Sequence, residues 1–244
     1  MDKSNINKKL YSGYNTSNLS QYEAKKILRI ISYLKENNFV KIESILDVGC
    51  NPNITNLFSE KFKLRAVGIN IFKDGMVGNS DWVVADVEKG LPFKKNEFDF
   101  VFCGEIIEHI MDIDFFISNL KKVLKPNGVL VITTPNLASF WNRFFLVFGF
   151  QPHLAGVSLK KSYGNPFLKW DHFCGHINLF TFKALSELLK DNGFSIEARW
   201  GEYIHNQFDS PLKKAIRKFF SLFPGLAEDM VFVCKYNGDI DEKS

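Results

Sequence analysis

Four polar positions in the first half of this chain fall where an apolar run stops, and side chains placed there can do chemistry. They are Asp47, Asn70, Asp86 and the Cys103-Gly104-Glu105 turn. The stretch Ile45-Leu46-Asp47-Val48-Gly49-Cys50-Asn51-Pro52-Asn53 reads as strand, tight turn and helix start. An acidic side chain at such a strand end accepts hydrogen bonds, a glycine lets a ligand approach the backbone, and the following helix points its unpaired N–H groups at the same place. Asp47 and Asn70 are 23 residues apart, close to the roughly 20 that separate a cofactor-binding turn from the residue that reads a ribose. One polar strand end means little, but four in succession indicate a binding crevice along one edge of a sheet. The histidines supply possible acid–base groups. His109 follows the fourth apolar run closely, and with an ordinary pKa of about 6.5 it can take a proton from a hydroxyl. Packing or capping within its own turn is the other role open to it. His172 and His176 are four apart, a metal-binding spacing on a helix. Gly175 and the absence of a helical period place them in a loop instead, with Asp171 as the one nearby carboxylate, so no metal is assigned.

The elements that must position these groups follow from periodicity. Residues 21–36 are helical, with Ala24, Ile27, Leu28, Ile31 and Leu34 on one face. A first strand ends at Asp47, and Asn53 or Thr55 caps a helix running to about Phe62. Strands over residues 65–71, 82–85 and 98–103 come next, then a helix over 112–124, a turn at Lys125-Pro126-Asn127-Gly128, and a strand over 129–133. This alternation argues for a parallel sheet covered by helices on both faces. Beyond it, residues 136–150 are apolar nearly all round if helical, and 151–176 have no period. The whole stretch 136–176 therefore reads as an insertion or lid over the crevice, with Trp170, His172 and His176 as acceptor contacts. A helix over 182–189 ends at Asn192-Gly193, and strands over 194–203 and 230–236 flank a basic amphipathic helix at 211–223. That helix either packs with a solvated cationic face or rests on anionic lipid.

Composition sets the frame. The 244 residues suffice for one sizeable α/β domain, here 21–244 after a flexible tail at 1–20. A net charge of +4, spread along the chain, gives no argument for nucleic acid. Cys50, Cys103, Cys174 and Cys234 form no C-x-x-C pair and read as reduced thiols, and the polar N-terminus is unlike a signal peptide, so a cytoplasmic location is expected. No run approaches the roughly 20 apolar residues of a membrane span, and peripheral contact stays open.

Taken together, Asp47-Val48-Gly49-Cys50, Ala85-Asp86-Val87, Leu91-Pro92-Phe93 before Phe98-Asp99-Phe100-Val101, Glu105-Ile106-Ile107-Glu108-His109, and Leu124-Lys125-Pro126-Asn127-Gly128 resemble the successive motifs of class I S-adenosylmethionine-dependent methyltransferases. Within that family the chain is most similar to the ubiquinone-biosynthesis and sugar or glycolipid branch. The resemblance implies a Rossmann-like, seven-stranded, mostly parallel sheet with its last strand antiparallel. It implies S-adenosylmethionine as cofactor and a small-molecule or glycan/lipid-linked acceptor, methylated at oxygen. Carried over by position, it places Asp47, Gly49, Cys50 and Asn51 at the cofactor's amino-acid end and Asn70 at the ribose. Asp86 and Val87 fall at the adenine, and Gly104 and Glu105 beneath the methionine portion. Asn51 and Asn53 stand where the family has glycines, and Asn70 where it has a carboxylate, which also admits weak binding, a different cofactor, or a binding protein without activity. A nucleic-acid methyltransferase would carry a Pro-Pro-aromatic signature after Cys103, and the chain has Gly104-Glu105-Ile106 there. A nicotinamide dehydrogenase would need a G-x-G-x-x-G turn, which is missing.

Overall fold

A computed structural model describes residues 20–37, 41–73, 76–158, 161, 163–167, 175–203 and 210–238. The expected tail, Trp170 and His172 lie outside the described residues. The elements run α1 Gln21–Asn37, β1 Ile45–Val48, α2 Pro52–Phe62, β2 Ala66–Asn70, β3 Asp81–Val84, β4 Phe98–Gly104, α3 Ile113–Val123, β5 Leu124–Pro135, α4 Phe140–Val147, α5 Phe182–Asp191, β6 Phe194–Glu202, α6 Pro211–Ser221 and β7 Asp229–Tyr236. They build one sheet in the order β3-β2-β1-β4-β5-β7-β6. Strands β1 to β5 are parallel, and β7 runs antiparallel between β5 and β6. This is the Rossmann-like sheet that the resemblance implied.

The strands at the centre are buried at nearly every residue rather than alternately, because helices cover both faces. On one face, Ile27, Ile30 and Ile31 of α1 and Phe58 of α2 pack on Phe100, Phe102, Val129 and Val131. On the other, Phe116 and Leu120 of α3 and Leu185 and Leu189 of α5 pack on Val101, Cys103, Leu130 and Ile132. Alternate residues of β4 and β5 thus serve opposite cores. The Phe58 ring meets Phe100 and Phe102 edge-on at 5.3 and 5.1 Å, contacts worth about 1 kcal/mol each beyond their burial. Cys50, Cys103 and Cys234 are free and buried, and burial pushes their thiols well up, out of the nucleophilic range.

Three boundaries differ from the sequence expectation. Helix α2 is capped by Asn51, whose side-chain oxygen accepts from the Asn53 N–H at 3.0 Å, and not by Asn53 or Thr55. Pro52 causes this, since a proline is best placed at the first helical position and fixes the cap one residue earlier. The turn expected at 125–128 lies inside β5 instead. Asn127 takes a φ of 66° and the register slips opposite Phe98 and Phe100, where β5 advances five residues against two of β4, so the strand absorbs three extra residues and continues. Helix α4 covers only part of 136–150. Ser139 caps its start by accepting from Asn142, and Asn136 is instead bridged to Phe180. Among the described residues, no helix is long and apolar enough to cross a membrane.

Candidate functional site

Strand pairing sets the chemistry-bearing residues side by side. Cys103 pairs with Val48, Val48 with Ile69, and Asn70 with Val84, so Glu105, Gly49, Asn70 and Asp86 follow the ends of four neighbouring strands. At a strand spacing of about 4.8 Å this makes a row roughly 14 Å long. Its order along the carboxyl edge suits an extended ligand with an adenine at one end, a ribose in the middle and an amino acid at the other. The site holds polar groups at each of those places, so its donor set fits S-adenosylmethionine.

Each position in the row is fixed by its own local physics. Asp47 is buried, and its carboxylate accepts from Thr55 Oγ1 at 2.6 Å. Burial raises its pKa from 3.8 to about 7, with the Thr55 hydroxyl opposing the rise. Gly49 makes the tight turn at a φ of 71° and donates to the Ile69 carbonyl at 2.9 Å. Its missing Cβ would sit 2.2 Å from Ile106 Cδ1, so the side chain of Ile106, and not open space, lies against it. Asp86 caps the short turn Val87–Lys89 by accepting from the Glu88 N–H at 3.1 Å, with Val87 buried beneath. Gly104 ends β4, and Glu105 takes a φ of 53°, unusual for a residue with a Cβ.

Asn51 and Asn70, which the sequence left ambiguous, have structural roles. Asn51 caps α2, as above, and Cys50 beside it is buried. Asn70 Nδ2 donates to the Cys50 carbonyl at 2.9 Å while Oδ1 accepts from the Phe72 N–H at 3.3 Å. The amide thereby ties the end of β2 to the turn after β1, which a carboxylate, having no donor, cannot do. Charge alone suggests that Asn70→Asp would hold ribose hydroxyls more tightly. The tie to Cys50 reverses that expectation. The variant should lose about 1–3 kcal/mol of stability and bind cofactor more weakly, because two oxygens would face each other across a partly buried contact. Thermal melts and calorimetric titration check this, and tighter binding with an unchanged melting temperature would refute it.

Asp47 yields a second test. Its raised folded pKa means that its contribution to stability is present below 3.8 and is lost as pH rises through about 7. Asp47→Asn should therefore flatten the pH dependence of unfolding, gaining on the parent protein steadily between pH 4 and 8. Parallel profiles for the two proteins would rule out a desolvated carboxyl at this strand end.

Behind the row lies a network that sequence reasoning missed. Lys26 of α1 donates to Glu105 Oε1 at 2.8 Å and to Asp229 Oδ2 at 2.7 Å. Tyr22 OH donates to the same Asp229 oxygen at 2.9 Å, and Thr133 Oγ1 donates to Glu105 Oε1 at 2.7 Å. Burial pushes Asp229 up to about 7, the Glu105 charge adding to it and Lys26 opposing it. For Glu105 burial acts upward too, but the Lys26 ammonium and its hydrogen bond hold the carboxyl below its ordinary value. Helix α1 is thus pinned by charge to the turn at the crevice. The only sequence signal was Lys26 sitting between the apolar positions Ala24 and Ile27.

The histidines form a second cluster. His109 Nδ1 lies 3.0 Å from the Gly175 carbonyl, which can only accept, so Nδ1 carries the proton and Nε2 is the basic nitrogen. Its ring meets His176 edge-on with centroids 4.9 Å apart. Burial lowers the basicity of His109, and burial together with the His109 charge lowers His176 to about 3. His176 Nε2 in turn faces the wholly buried Glu108 at 3.9 Å. Glu108 accepts from Thr134 Oγ1 at 3.0 Å, and burial followed by the nearby Glu105 charge raises its pKa. Only 7% exposed, His176 props His109 from behind rather than lining an open surface. Glu108, His109 and His176 bring their ligand atoms within 4.8 Å of one another, a grouping that can also hold a divalent ion. The hollow lined by Asn56, Glu60, Lys63 and Arg65 opens at the amino end of β2, away from all of these groups.

The chain matches a protein family described as a methyltransferase domain over residues 17–199. It is similar to the mitochondrial ubiquinone biosynthesis O-methyltransferase of Bos taurus, 32% identical over 177 residues, which is 67% of this chain and 44% of that protein. It is also similar to the ubiquinone biosynthesis O-methyltransferase of Rickettsia prowazekii (strain Madrid E), 32% identical over 126 residues, 46% of this chain and 48% of that protein. The chain spans about half the length of the curated relatives it matches. Among solved structures, a SAM-dependent methyltransferase from Archaeoglobus fulgidus superposes with a TM-score of 0.53 at 17% identity, covering 96% of this chain and 100% of that one. A cyclase, SpnF, superposes with a TM-score of 0.57 at 14% identity, covering 93% and 85%. At such identities the likeness is one of fold, and the cyclase shows that this fold also carries chemistry of another kind.

Proposed function

We propose a reaction from the premise that the chain belongs to the class I S-adenosylmethionine-dependent methyltransferases. It transfers a methyl group to an oxygen of a small-molecule acceptor, or of one carried on a glycan or lipid. The bound cofactor supplies an electrophilic methyl group, and what the protein adds is alignment and a place for the acceptor's proton. Asp86 and Val87 take the adenine, Asn70 Oδ1 has a lone pair for a ribose hydroxyl, and the Gly49 and Glu105 turns frame the methionine end. The observation that carries the reading is His109. Its burial-lowered basicity keeps Nε2 unprotonated at neutral pH, and the Gly175 carbonyl fixes the tautomer, so it is ready to take a proton from a hydroxyl as the methyl arrives.

Calorimetric titration with S-adenosylmethionine, followed by mass analysis of phenolic and sugar-hydroxyl acceptors, tests this. Methylation found only at nitrogen or carbon, or cofactor binding with no transfer to any hydroxyl, would reject the oxygen acceptor.

Residues 136–176 make the acceptor side of this site, acting as a lid. In support, the segment is tied to the domain at its base, where the Leu137 N–H donates to the Phe180 carbonyl at 2.9 Å. Further out it closes on itself, through the Gln151 N–H to the Gly164 carbonyl and Asn165 Nδ2 to the Gln151 carbonyl. Hydrogen exchange across the segment should slow when cofactor product binds. Protection equal to that of the central strands, unchanged by ligand, would make the segment a fixed part of the core.

A further inference from the structure

His109 stands on a turn that does little to hold itself. Glu105 leads into it at a φ of 53°, and Ile106 at its start has no side chain that could cap it. The turn Ile107–His109 closes through the His109 N–H to the Ile106 carbonyl at 2.9 Å and, more loosely, the Ile110 N–H to the Ile107 carbonyl at 3.4 Å. A single turn of this kind has too few bonds of its own to fix a direction, so its bracing must come from elsewhere in the fold.

Asn178 supplies two braces, one on each side of the imidazole. Its backbone N–H donates to the Glu108 carbonyl at 3.0 Å, and its side-chain Nδ2 donates to the Ile110 carbonyl. Those carbonyls belong to the residues immediately before and after His109. The Ile177 N–H, at 2.9 Å, uses the second lone pair of the Glu108 carbonyl. On the far side of the turn, Glu88 Oε1 accepts from the Met111 N–H at 2.8 Å, an exposed contact. Capping of α5 does not account for Asn178, because Thr181 caps that helix by accepting from the Ala184 N–H at 3.2 Å. Nor is the side-chain bond a local habit of asparagine, since it spans 68 positions. The same short segment carries the Gly175 carbonyl and the His176 ring that face His109. Residues 175–178 thus hold both the backbone and the ring of His109.

We propose that Asn178 is a positioning residue that aims the His109 imidazole. Without its side-chain bond the turn can rotate against residues 175 and 176, which draws Nδ1 away from the Gly175 carbonyl. The consequence for turnover rests on His109 as the acceptor's base, while the aim of the ring does not. A misplacement of about 1 Å at a reacting group costs about a hundredfold in rate.

Nitrogen-15 NMR of the full chain, with neither cofactor nor acceptor, reads the aim directly. The Nδ1 proton of His109, identified by its loss in His109→Gln, should be sheltered from exchange with water in the parent protein. Asn178→Leu keeps the bulk and removes the donor, and it should speed that exchange by at least about tenfold, the worth of one hydrogen bond, with the signals of the strands unchanged. Asn178→Gln retains a donor and should recover most of the protection. Should the leucine variant not fold, Asn178→Ser, too short to reach the Ile110 carbonyl, makes the same comparison. Methyl transfer from S-adenosylmethionine to catechol adds a kinetic measure. Asn178→Leu should lower kcat by about 10- to 100-fold and leave KM for the cofactor unchanged, because the residue lies outside the cofactor row. The double variant with His109→Gln should be no slower than His109→Gln alone, as expected of a residue that acts only through His109. A parent-like Nδ1 signal in Asn178→Leu would overturn the proposal, and so would a double variant in which the two rate losses multiply. Unchanged turnover in His109→Gln would strike the base reading instead, and the imidazole signal would still decide the aim.

Discussion

Replacing Lys26 by methionine is expected to lower the unfolding free energy at pH 7 by about 3–5 kcal/mol, the usual result of removing one member of a buried ion pair. Methionine keeps the apolar stem and removes the ammonium. Asp229, 2% exposed, and Glu105, whose side chain is 35% exposed, would then lie side by side without their cation. The Tyr22 and Thr133 hydroxyls still donate to these carboxylates, but neither supplies charge. The deficit should depend on pH in a definite direction. Without Lys26 both carboxyls would have folded pKa values raised above their unfolded ones. A group raised in that way contributes stability below its unfolded pKa and loses it as pH rises through the folded value. Already with Lys26 present, Asp229 stands at about 7. The variant should therefore fall furthest behind at pH 8 and recover toward pH 5. Urea unfolding at several pH values measures this, and a deficit below about 1 kcal/mol, or one independent of pH, would show that the network is only solvated surface charge.

Turnover should suffer most from His109→Gln, with kcat falling by about 10² to 10⁴ if His109 takes the acceptor's proton. Glutamine has a donor for the Gly175 carbonyl and a similar bulk but no basic nitrogen, and it lies outside the cofactor row, so affinity for S-adenosylmethionine should hold. The pH profile gives a sharper criterion. A base that works in its neutral form loses rate as pH falls through its pKa, and burial has lowered the pKa of His109. The acid limb of the rate should thus lie below pH 6.5 in the parent protein and vanish in the variant. Intact turnover in His109→Gln would remove the base assignment. Parent activity that disappears with a chelator and returns with a divalent ion would instead give Glu108, His109 and His176 to a metal.

The sequence by itself determined the framework. Asp47, Asn70, Asp86 and Glu105 were readable as strand ends because hydrophobic runs and the turn residues after them are local signals. Strands buried on both faces cannot be mistaken when every residue from Phe98 to Cys103 is apolar except Asp99. The alternation of those runs with helical periods then allowed few topologies, since parallel strands need crossover connections, which are usually helices. Element ends were less legible, as the Asn51 cap and the continuous β5 show, because one bulge or one proline moves a boundary without disturbing the period around it. What only the tertiary structure decided is who meets whom. Lys26 finds Asp229 across 203 positions and Glu105 across 79. His176 comes to face Glu108 from 68 positions away, and Asn70 reaches back 20 to hold the Cys50 carbonyl. A sequence records the hydrogen-bonding capacity of each of these side chains but not its partner. The partner is set by which helix lies over which strand end, and so is the burial that moves Asp47, Asp229 and His176 away from their ordinary pKa values.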